Sequence, residues 1–200
     1  MKRNSSFAPR VRHAGITTIV LLLAITSMAV PARVRETFAG ISVKNFGKIN
    51  DNYYRGAQPL NQDEFAQLKK FGIKTVIDLR KDSLRQAPEW ARNSGLQYFN
   101  IPLLARKPAT EDQTSYFLSL VNNPDNWPVY VHCKGGRHRT GGMTAIYRIS
   151  HDGWTADQAF KEMEEYDFND SIFGGPGAQK KYIYDFYDHY RATNGQGSKR

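Results

Sequence analysis

The chain has 200 residues, of which 28 are basic and 19 acidic, and its formal net charge is +9 at pH 7. This length is enough for one domain with a substantial core, and a moderately basic chain suits anionic substrates. The basic residues are dispersed rather than interleaved with aromatics in a stripe, so nucleic acid is not an expected partner. The single cysteine, Cys133, excludes an internal disulfide, and its histidine neighbours lack the paired spacing of a closed zinc site.

Four basic side chains, those of Lys2, Arg3, Arg10 and Arg12, precede an uncharged stretch at residues 14–30. A basic flank, an apolar centre and small residues after it are typical of a secretory signal. As a helix this stretch spans about 26 Å, slightly less than a hydrocarbon core of about 30 Å, so a cleaved signal and a membrane anchor both stay open. Because basic flanks remain inside, we expect an exported domain, periplasmic or otherwise extracytoplasmic, with membrane association through the stretch if it is retained.

Residues 1–32 therefore form a signal peptide or an N-terminal anchor, followed by a linker at 33–40, a folded domain at 41–192 and a disordered polar tail at 193–200. Within the domain, hydrophobic patterning predicts strands at residues 41–50, 53–55, 75–79, 96–101 and 127–132. It predicts helices at residues 61–70, 87–93, 110–122, 140–151, 155–166 and 179–192.

Two of the predicted helices begin with capping-box pairs, Asn61 with Glu64 and Thr110 with Gln113, and Gly72 ends the first of them. Strands that alternate with helices indicate an α/β fold. Apolar strands with helices on either side are typical of buried parallel strands. We therefore expect a central, mostly parallel sheet flanked by helices.

The most informative segment joins a predicted strand to a predicted helix and reads His-Cys-Lys-Gly-Gly-Arg-His-Arg-Thr-Gly at residues 132–141. Cys133 ends the strand, where ligands bind in α/β sheets, and a helix N-terminus with nearby cations favours the thiolate form of a cysteine. Gly135 and Gly136 let the loop curl tightly, so that the backbone amides of residues 134–139 can form an anion-binding nest. The segment therefore predicts a sulfur nucleophile next to a phosphate cradle.

Three side chains near the cysteine complete this prediction. Arg139 offers parallel N–H donors to two phosphoryl oxygens, which a lysine cannot do in the same geometry. Thr140, with its hydroxyl within reach of the Cys133 sulfur, is expected to stabilise the thiolate as attacking and leaving group. His132 is expected to order the loop through a structural hydrogen bond rather than to act as a base.

This segment resembles the Cys-x5-Arg signature loop of the cysteine-dependent protein tyrosine and dual-specificity phosphatases. Residues 73–80 resemble the strand before the catalytic region of that superfamily, residues 54–59 its entry turn, and residues 147–159 the helices downstream of the loop in bacterial members. The resemblance spans about residues 41–192. It implies a phosphatase-like α/β fold, with the loop between strand and helix, and hydrolysis through a phosphocysteine intermediate without a metal or organic cofactor.

Within the superfamily, the loop is most similar to atypical members that hydrolyse inositol pyrophosphates or phosphoinositides, whose sites are ringed with positive charge. The resemblance implies phosphate binding by Lys134, Gly135, Gly136, Arg137, His138 and Arg139. The basic members of this set favour multiply charged substrates. Phosphotyrosine in a phosphoprotein, a phosphoinositide headgroup and a phosphorylated small molecule such as an inositol polyphosphate all stay open as substrates.

The resemblance also implies a leaving-group acid, usually an aspartate about thirty residues before the cysteine. Residues 100–104 hold no carboxylate, and the remaining candidates are Glu111, Asp112, Asp78 or none. Glu111 and Asp112 are expected mainly to complement a helix dipole. An acid-poor site would suit phosphoanhydrides and aryl esters, because a leaving group of low pKa needs less protonation.

Two other functions are compatible with parts of the pattern. Rhodanese-like sulfurtransferases also place a cysteine at the end of a strand, but the Arg139-Thr140-Gly141 ending favours phosphate. A phosphate-binding module that has lost turnover would explain the absent aspartate. We therefore predict a cysteine-dependent phosphatase in which Cys133, Arg139 and Thr140 are catalytic.

Overall fold

The computed structural model describes residues 38–105, 107–169 and 178–194. The predicted signal or anchor at residues 1–32 and most of the predicted tail lie outside these ranges. The described residues belong to one compact unit. Within them, none of the helices combines the length and the apolar character that a membrane span requires.

Within the described ranges, five strands form one sheet: β1 (Gly47–Asn50), β2 (Tyr53–Ala57), β3 (Thr75–Asp78), β4 (Gln97–Asn100) and β5 (Val129–Cys133). Their order across the sheet is β1-β2-β5-β3-β4. Only β1 runs antiparallel to its neighbour, while β2, β5, β3 and β4 are parallel. The predicted α/β fold with a mostly parallel sheet is therefore confirmed, and β5 lies at its centre.

The described residues also contain six α-helices: α1 (Gln62–Phe71), α2 (Ala87–Asn93), α3 (Glu111–Val121), α4 (His138–Asp152), α5 (Ala156–Glu165) and α6 (Ala178–Asn194). Helices α5 and α6 pack on α4 rather than on the sheet. Thr110 forms the predicted reciprocal capping box with Gln113. At α1 the predicted box is only half formed, since Asn61 accepts the Glu64 N–H at 3.0 Å but the Glu64 carboxylate accepts from the Leu60 N–H at 2.7 Å. Gly72 ends α1 in the left-handed conformation, at φ 112°.

Several predicted boundaries differ from the structure by one or more residues. The first strand covers only residues 47–50 of the predicted 41–50, because Asn45 adopts a positive φ of 55° and interrupts the extended backbone. Helix α4 begins at His138, slightly before the expected start near residues 139–140, and α6 continues to Asn194, two residues into the predicted tail. Helix ends shift in this way because the last turns depend on tertiary contacts as well as on local sequence.

The sheet is buried between two helical layers. One face packs β5 against α3 and α4 through apolar side chains that include Val131, Phe117 and Met143. The other face packs against α1 and α2, where Phe65 and Leu68 are fully buried. Burying a side chain of that size contributes about 1.5–3 kcal/mol. This two-sided core fixes β5, and with it the residues at its carboxyl end.

Candidate active site

Cys133 is the last residue of β5 and is only 3% exposed. The parallel neighbours β2 and β3 pair with β5 up to its last residues, Ala57 with Cys133 and Asp78 with His132. Three carboxyl strand ends therefore meet at one edge of the sheet, which is where ligands bind in open α/β folds. The predicted position of the cysteine, between a strand and the start of a helix, is confirmed.

The loop after Cys133 is held from behind by its carbonyl groups. The Asn45 side-chain amide donates to the carbonyls of Gly135 and Gly136, both at 3.2 Å. Arg55 Nη2 donates to the Gly136 carbonyl at 2.7 Å, and the Gln58 N–H donates to the Lys134 carbonyl at 3.4 Å. In contrast, the N–H groups of residues 134–137 donate to no other group of the described residues. This arrangement is compatible with the anion nest predicted for residues 134–139, which stays a prediction.

Of the two loop glycines, only Gly136 needs a left-handed backbone, with φ 68°. A Cβ atom at Gly136 would lie 2.4 Å from the Gly56 carbonyl carbon, far inside van der Waals contact. Glycine is therefore required there both for conformation and for the close approach of the loop to β2. Gly135 has neither constraint, so its predicted role in curling the loop is not visible in its backbone.

A cavity of about 390 Å³ opens above the loop. Its lining brings together most of the predicted site residues: Cys133, Lys134, Gly135, Arg137, His138 and Arg139, joined by Asp82 and Ala105. Arg139 lies in the first turn of α4 and is 8% exposed. Its Nη1 atom donates to the Leu103 carbonyl and to Asp82 Oδ1, both at 3.3 Å. These two bonds hold the Arg139 guanidinium in the wall of the same cavity that the Cys133 thiol lines.

His132 and Thr140 are both buried next to the loop. Burial lowers the pKa of the His132 ring, and a hydrogen bond to the Cys133 backbone acts to raise it. His132 Nδ1 lies 3.8 Å from Asp78 Oδ1, although neither nitrogen has a partner in strict hydrogen-bond geometry among the described residues. Its structural hydrogen bond therefore stays a prediction. The ring stacks on Tyr130, with centroids 5.8 Å apart. The Thr140 hydroxyl likewise has no partner in the described part of the chain, and its help to the Cys133 sulfur stays a prediction.

The carboxylate in the cavity is Asp82, which the sequence reasoning missed. Its Oδ1 atom lies 3.3 Å from Arg139 Nη1 and 3.6 Å from Arg80 Nε. Partial burial raises the pKa of Asp82, but the hydrogen bond from Arg139 and the charges of Arg80 and Arg139 outweigh burial and hold this pKa below its ordinary value. A usable signal existed, because residues 80–82 are charged and directly follow a strand that ends at the ligand edge.

The three carboxylates considered from the sequence lie elsewhere. Asp78 is 1% exposed and accepts hydrogen bonds from the Arg80 N–H at 3.0 Å and the Tyr98 hydroxyl at 2.9 Å. It therefore holds the end of β3 in place. Glu111 and Asp112 occupy the first turn of α3, and Glu111 lines a separate cavity between α3 and α6. None of them lines the Cys133 cavity.

Two more residues hold the loop from behind: Asn45, which the sequence reasoning missed, and Arg55, which it placed in the entry turn at 54–59 without a role. Arg55 is fully buried within β2, and a charged residue in an otherwise apolar strand is a signal that could have drawn attention to it. As for metals, the described residues contain no cluster of three or more histidine, cysteine or acidic side chains placed to hold one.

Taken with the resemblance of the loop, this fold and this cavity place the chain in the class of cysteine-based phosphatases. The chain belongs to the family described as DSP-PTPase phosphatase fused to NAD+ kinase, whose model matches residues 32–175.

Two curated relatives illustrate the range of this class. The dual specificity protein phosphatase TpbA of Pseudomonas aeruginosa is 31% identical over 126 residues, which are 63% of this chain and 56% of TpbA. The inositol diphosphatase SIW14 of Saccharomyces cerevisiae is 25% identical over 134 residues, 64% of this chain and 47% of SIW14. The chain thus spans about half the length of these relatives.

A solved structure of P. aeruginosa TpbA superimposes with a TM-score of 0.64 at 25% identity and covers 84% of this chain and 99% of that chain. It is a complex of a TpbA variant with phosphotyrosine. The similarity therefore extends over nearly the whole of that fold.

Proposed function

We propose that this chain is a cysteine-dependent phosphatase that hydrolyses phosphate monoesters or phosphoanhydrides through a phosphocysteine intermediate. The observation that carries the proposal is one cavity that contains the Cys133 thiol, the Arg139 guanidinium and a loop whose carbonyls are turned away from it. Family membership and the two relatives support the same activity.

In the first step, the Cys133 thiolate attacks phosphorus, an S–P bond forms, and the bond between phosphorus and the leaving oxygen breaks. Arg139 and the N–H groups of the loop stabilise the three equatorial oxygens. In the second step, water attacks phosphorus, the S–P bond breaks, and phosphate leaves with the thiolate restored. The thiol is buried and lines the cavity, so a phosphoryl group held by the loop is positioned for attack by the sulfur.

We assign the proton transfers to Asp82, the carboxylate that lines the cavity. Without substrate, it is paired with Arg139. A bound phosphoryl group takes its place on Arg139, and the new negative charge beside Asp82 increases its affinity for a proton. Protonated Asp82 then gives its proton to the leaving oxygen, and its carboxylate takes a proton from the attacking water in the second step.

The rim of the cavity favours substrates with several negative charges. Lys134, Arg137 and His138 line it, and the Arg137 side chain is about half exposed, with its Nε atom 4.0 Å from Asp167 Oδ2. TpbA is named a dual specificity protein phosphatase and SIW14 an inositol diphosphatase. We therefore propose phosphotyrosine and polyphosphorylated small molecules as the substrate classes to compare first.

The decisive experiment compares the full chain with Cys133→Ser in hydrolysis of p-nitrophenyl phosphate. We expect the variant to lose turnover and to keep the wild-type circular dichroism spectrum. Undiminished turnover by Cys133→Ser would refute the mechanism. A wild-type chain that binds inorganic phosphate but hydrolyses no ester at pH 4–8 would instead support a binding module, and thiosulfate:cyanide sulfur transfer without phosphate release would support a sulfurtransferase.

A phosphate-release screen over phosphotyrosine peptides, phosphoinositides and inositol polyphosphates then ranks the substrate classes. For the cellular location, we propose export, which the basic residues before the uncharged stretch at 14–30 support. Cell fractionation, with the mass of the recovered chain, distinguishes a cleaved signal from a retained anchor. Recovery of the uncleaved chain in the cytoplasmic fraction would refute export.

A further inference from the structure

Arg55 combines two features that are rarely found together. Its side chain is the largest of those fully buried, with 0% exposure, yet no carboxylate of the described residues lies within ion-pair distance of it. Buried charges are costly unless they are paired and hydrogen-bonded. A residue that only filled this space would be apolar, so the charge itself requires an explanation.

The contacts of the guanidinium are all made near the phosphate loop. Nη2 donates to the Gly136 carbonyl at 2.7 Å, and Cζ lies 3.9 Å from the centre of the Tyr166 ring. Nε and Nη1 have no hydrogen-bond partner in the described part of the chain. Through β2, Arg55 pairs with Val131, two residues before Cys133, so these three side chains lie on the same face of the sheet.

The bond to Gly136 has a geometric consequence for the next residue. A trans peptide group is planar, so its C=O and N–H point in opposite directions. Holding the Gly136 carbonyl towards Arg55 therefore turns the N–H of Arg137 to the other side, towards the cavity that Arg137 lines. The Asn45 amide, bonded to the Gly135 and Gly136 carbonyls, orients the following N–H groups in the same way.

The charge of Arg55 adds to this orientation. A cationic donor polarises the peptide group to which it binds, and the opposite N–H then becomes a stronger donor. The positive charge also lies behind the loop, where it attracts an anion bound in front. Burial keeps this attraction from being screened by salt.

We propose that Arg55 is a positioning residue: its hydrogen bond to the Gly136 carbonyl fixes the loop in the form that binds phosphate. Asn45 supports the same form through its own bonds to the Gly135 and Gly136 carbonyls. The inference rests on the proposed phosphatase function and names the group that prepares its anion site. It predicts that removing either side chain weakens phosphate binding without removing the nucleophile or Arg139.

The test uses the full chain with Arg55→Met, which keeps apolar bulk, and with Arg55→Lys, which keeps the charge on a single donor nitrogen. Arg92→Met is an exposed control on α2. Inorganic phosphate is the probe, measured by direct titration and as an inhibitor of p-nitrophenyl phosphate hydrolysis. We expect Arg55→Met to weaken phosphate about tenfold to hundredfold. Arg55→Lys should recover part of the loss, and Arg92→Met should match the wild type.

The two kinetic constants separate positioning from folding. If Arg55 only supported the fold, its loss would lower kcat with the folded fraction and leave KM and phosphate affinity unchanged. Asn45→Gly provides a second route, because glycine adopts the φ of 55° without steric cost and removes only the amide bonds, which go to the Gly135 and Gly136 carbonyls and, at 3.3 Å, to the Tyr166 carbonyl. We expect the same weakening of phosphate in this variant.

Wild-type phosphate affinity in folded Arg55→Met, or in Asn45→Gly if Arg55→Met does not fold, would overturn the positioning role. The binding titration keeps this result separate from the proposed function. A wild-type chain that binds phosphate but has no turnover would refute the phosphatase function, and the variants would still report on positioning. A wild-type chain without phosphate affinity would refute both.

Discussion

Replacing Gly136 by alanine tests the geometry of the loop directly. The added Cβ would lie 2.4 Å from the Gly56 carbonyl carbon, 2.5 Å from its oxygen and 2.8 Å from the Ala57 nitrogen. All three atoms belong to the backbone of β2, where Gly56 and Ala57 pair with β5 and the Ala57 N–H donates to the Lys44 carbonyl at 2.9 Å. The loop would therefore have to retreat by roughly 1 Å to restore ordinary contact, and it would lose its bond to Arg55.

The expected magnitude follows from that displacement. A misplacement of about 1 Å in a catalytic arrangement lowers the rate about 100-fold, so we expect at least this loss in kcat/KM for p-nitrophenyl phosphate. An L-residue in the left-handed conformation also costs about 1–2 kcal/mol of stability. For a domain of this size, that is a fall of about 2–8 °C in Tm.

Gly153→Ala is the matched control. Gly153 has φ 70°, almost the same as the 68° of Gly136, but no atom lies within 4 Å of its hypothetical Cβ. It should lose stability by a similar amount from the backbone conformation alone and keep full activity. The assay measures kcat/KM and thermal unfolding by circular dichroism for both variants. Wild-type kcat/KM in folded Gly136→Ala would refute the argument that the loop must contact β2 closely.

Three further predictions address the proton donor, the core and pH. Asp82→Asn should lower kcat about 10²- to 10⁴-fold for an alkyl phosphate but far less for p-nitrophenyl phosphate, and equal losses would contradict its role as the acid. Glu162→Ala removes the buried carboxylate that Arg148 binds at 2.6 Å and 3.1 Å but leaves Arg148 paired with Asp152 at 2.6 Å, so thermal unfolding should show a loss of about 1.5–3 kcal/mol; a change below about 0.5 kcal/mol would contradict this. Burial is the main cause that lowers the pKa of His132 in the folded chain. As the pH falls below about 6.5, the unfolded chain therefore binds a proton at His132 before the folded chain does, and the free energy of unfolding decreases by up to about 1.4 kcal/mol for each pH unit. Melting curves from pH 7 to pH 5 should therefore converge towards those of His132→Asn, and parallel curves would contradict the assignment.

Local signals were sufficient for much of the fold. Asn61, Gly72 and Thr110 mark helix ends correctly because each cap involves residues only a few positions apart. The loop at 132–141 was equally accessible, because nucleophile, glycines and arginine all lie in one short segment. The parallel arrangement followed from apolar strands that alternate with helices.

The groups that complete the site could not be read in this way. Asp82 meets Arg139 across 57 residues, and Arg55 meets Gly136 across 81. Such pairs depend on the strand order, which places β2 and β3 on either side of β5. Patterning predicts a sheet but not the order of its strands, and a search based on distance along the chain therefore found Glu111 and Asp112 rather than Asp82.

Because of the strand order, the geometry of the phosphate loop depends on residues from the start of the domain as well as on the loop itself. The nucleophile and its arginine are near neighbours along the chain, but Asn45 and Arg55, which shape the loop, come from the other end of the described residues, 81–91 positions earlier. Contacts that distant form only when the sheet closes. A fragment that began at β3 would keep Cys133 and Arg139 but would lose the hydrogen bonds from Asn45 and Arg55 that hold the carbonyls of the loop. A loss of phosphatase turnover is therefore expected whenever β1 and β2 fail to pair with the rest of the sheet.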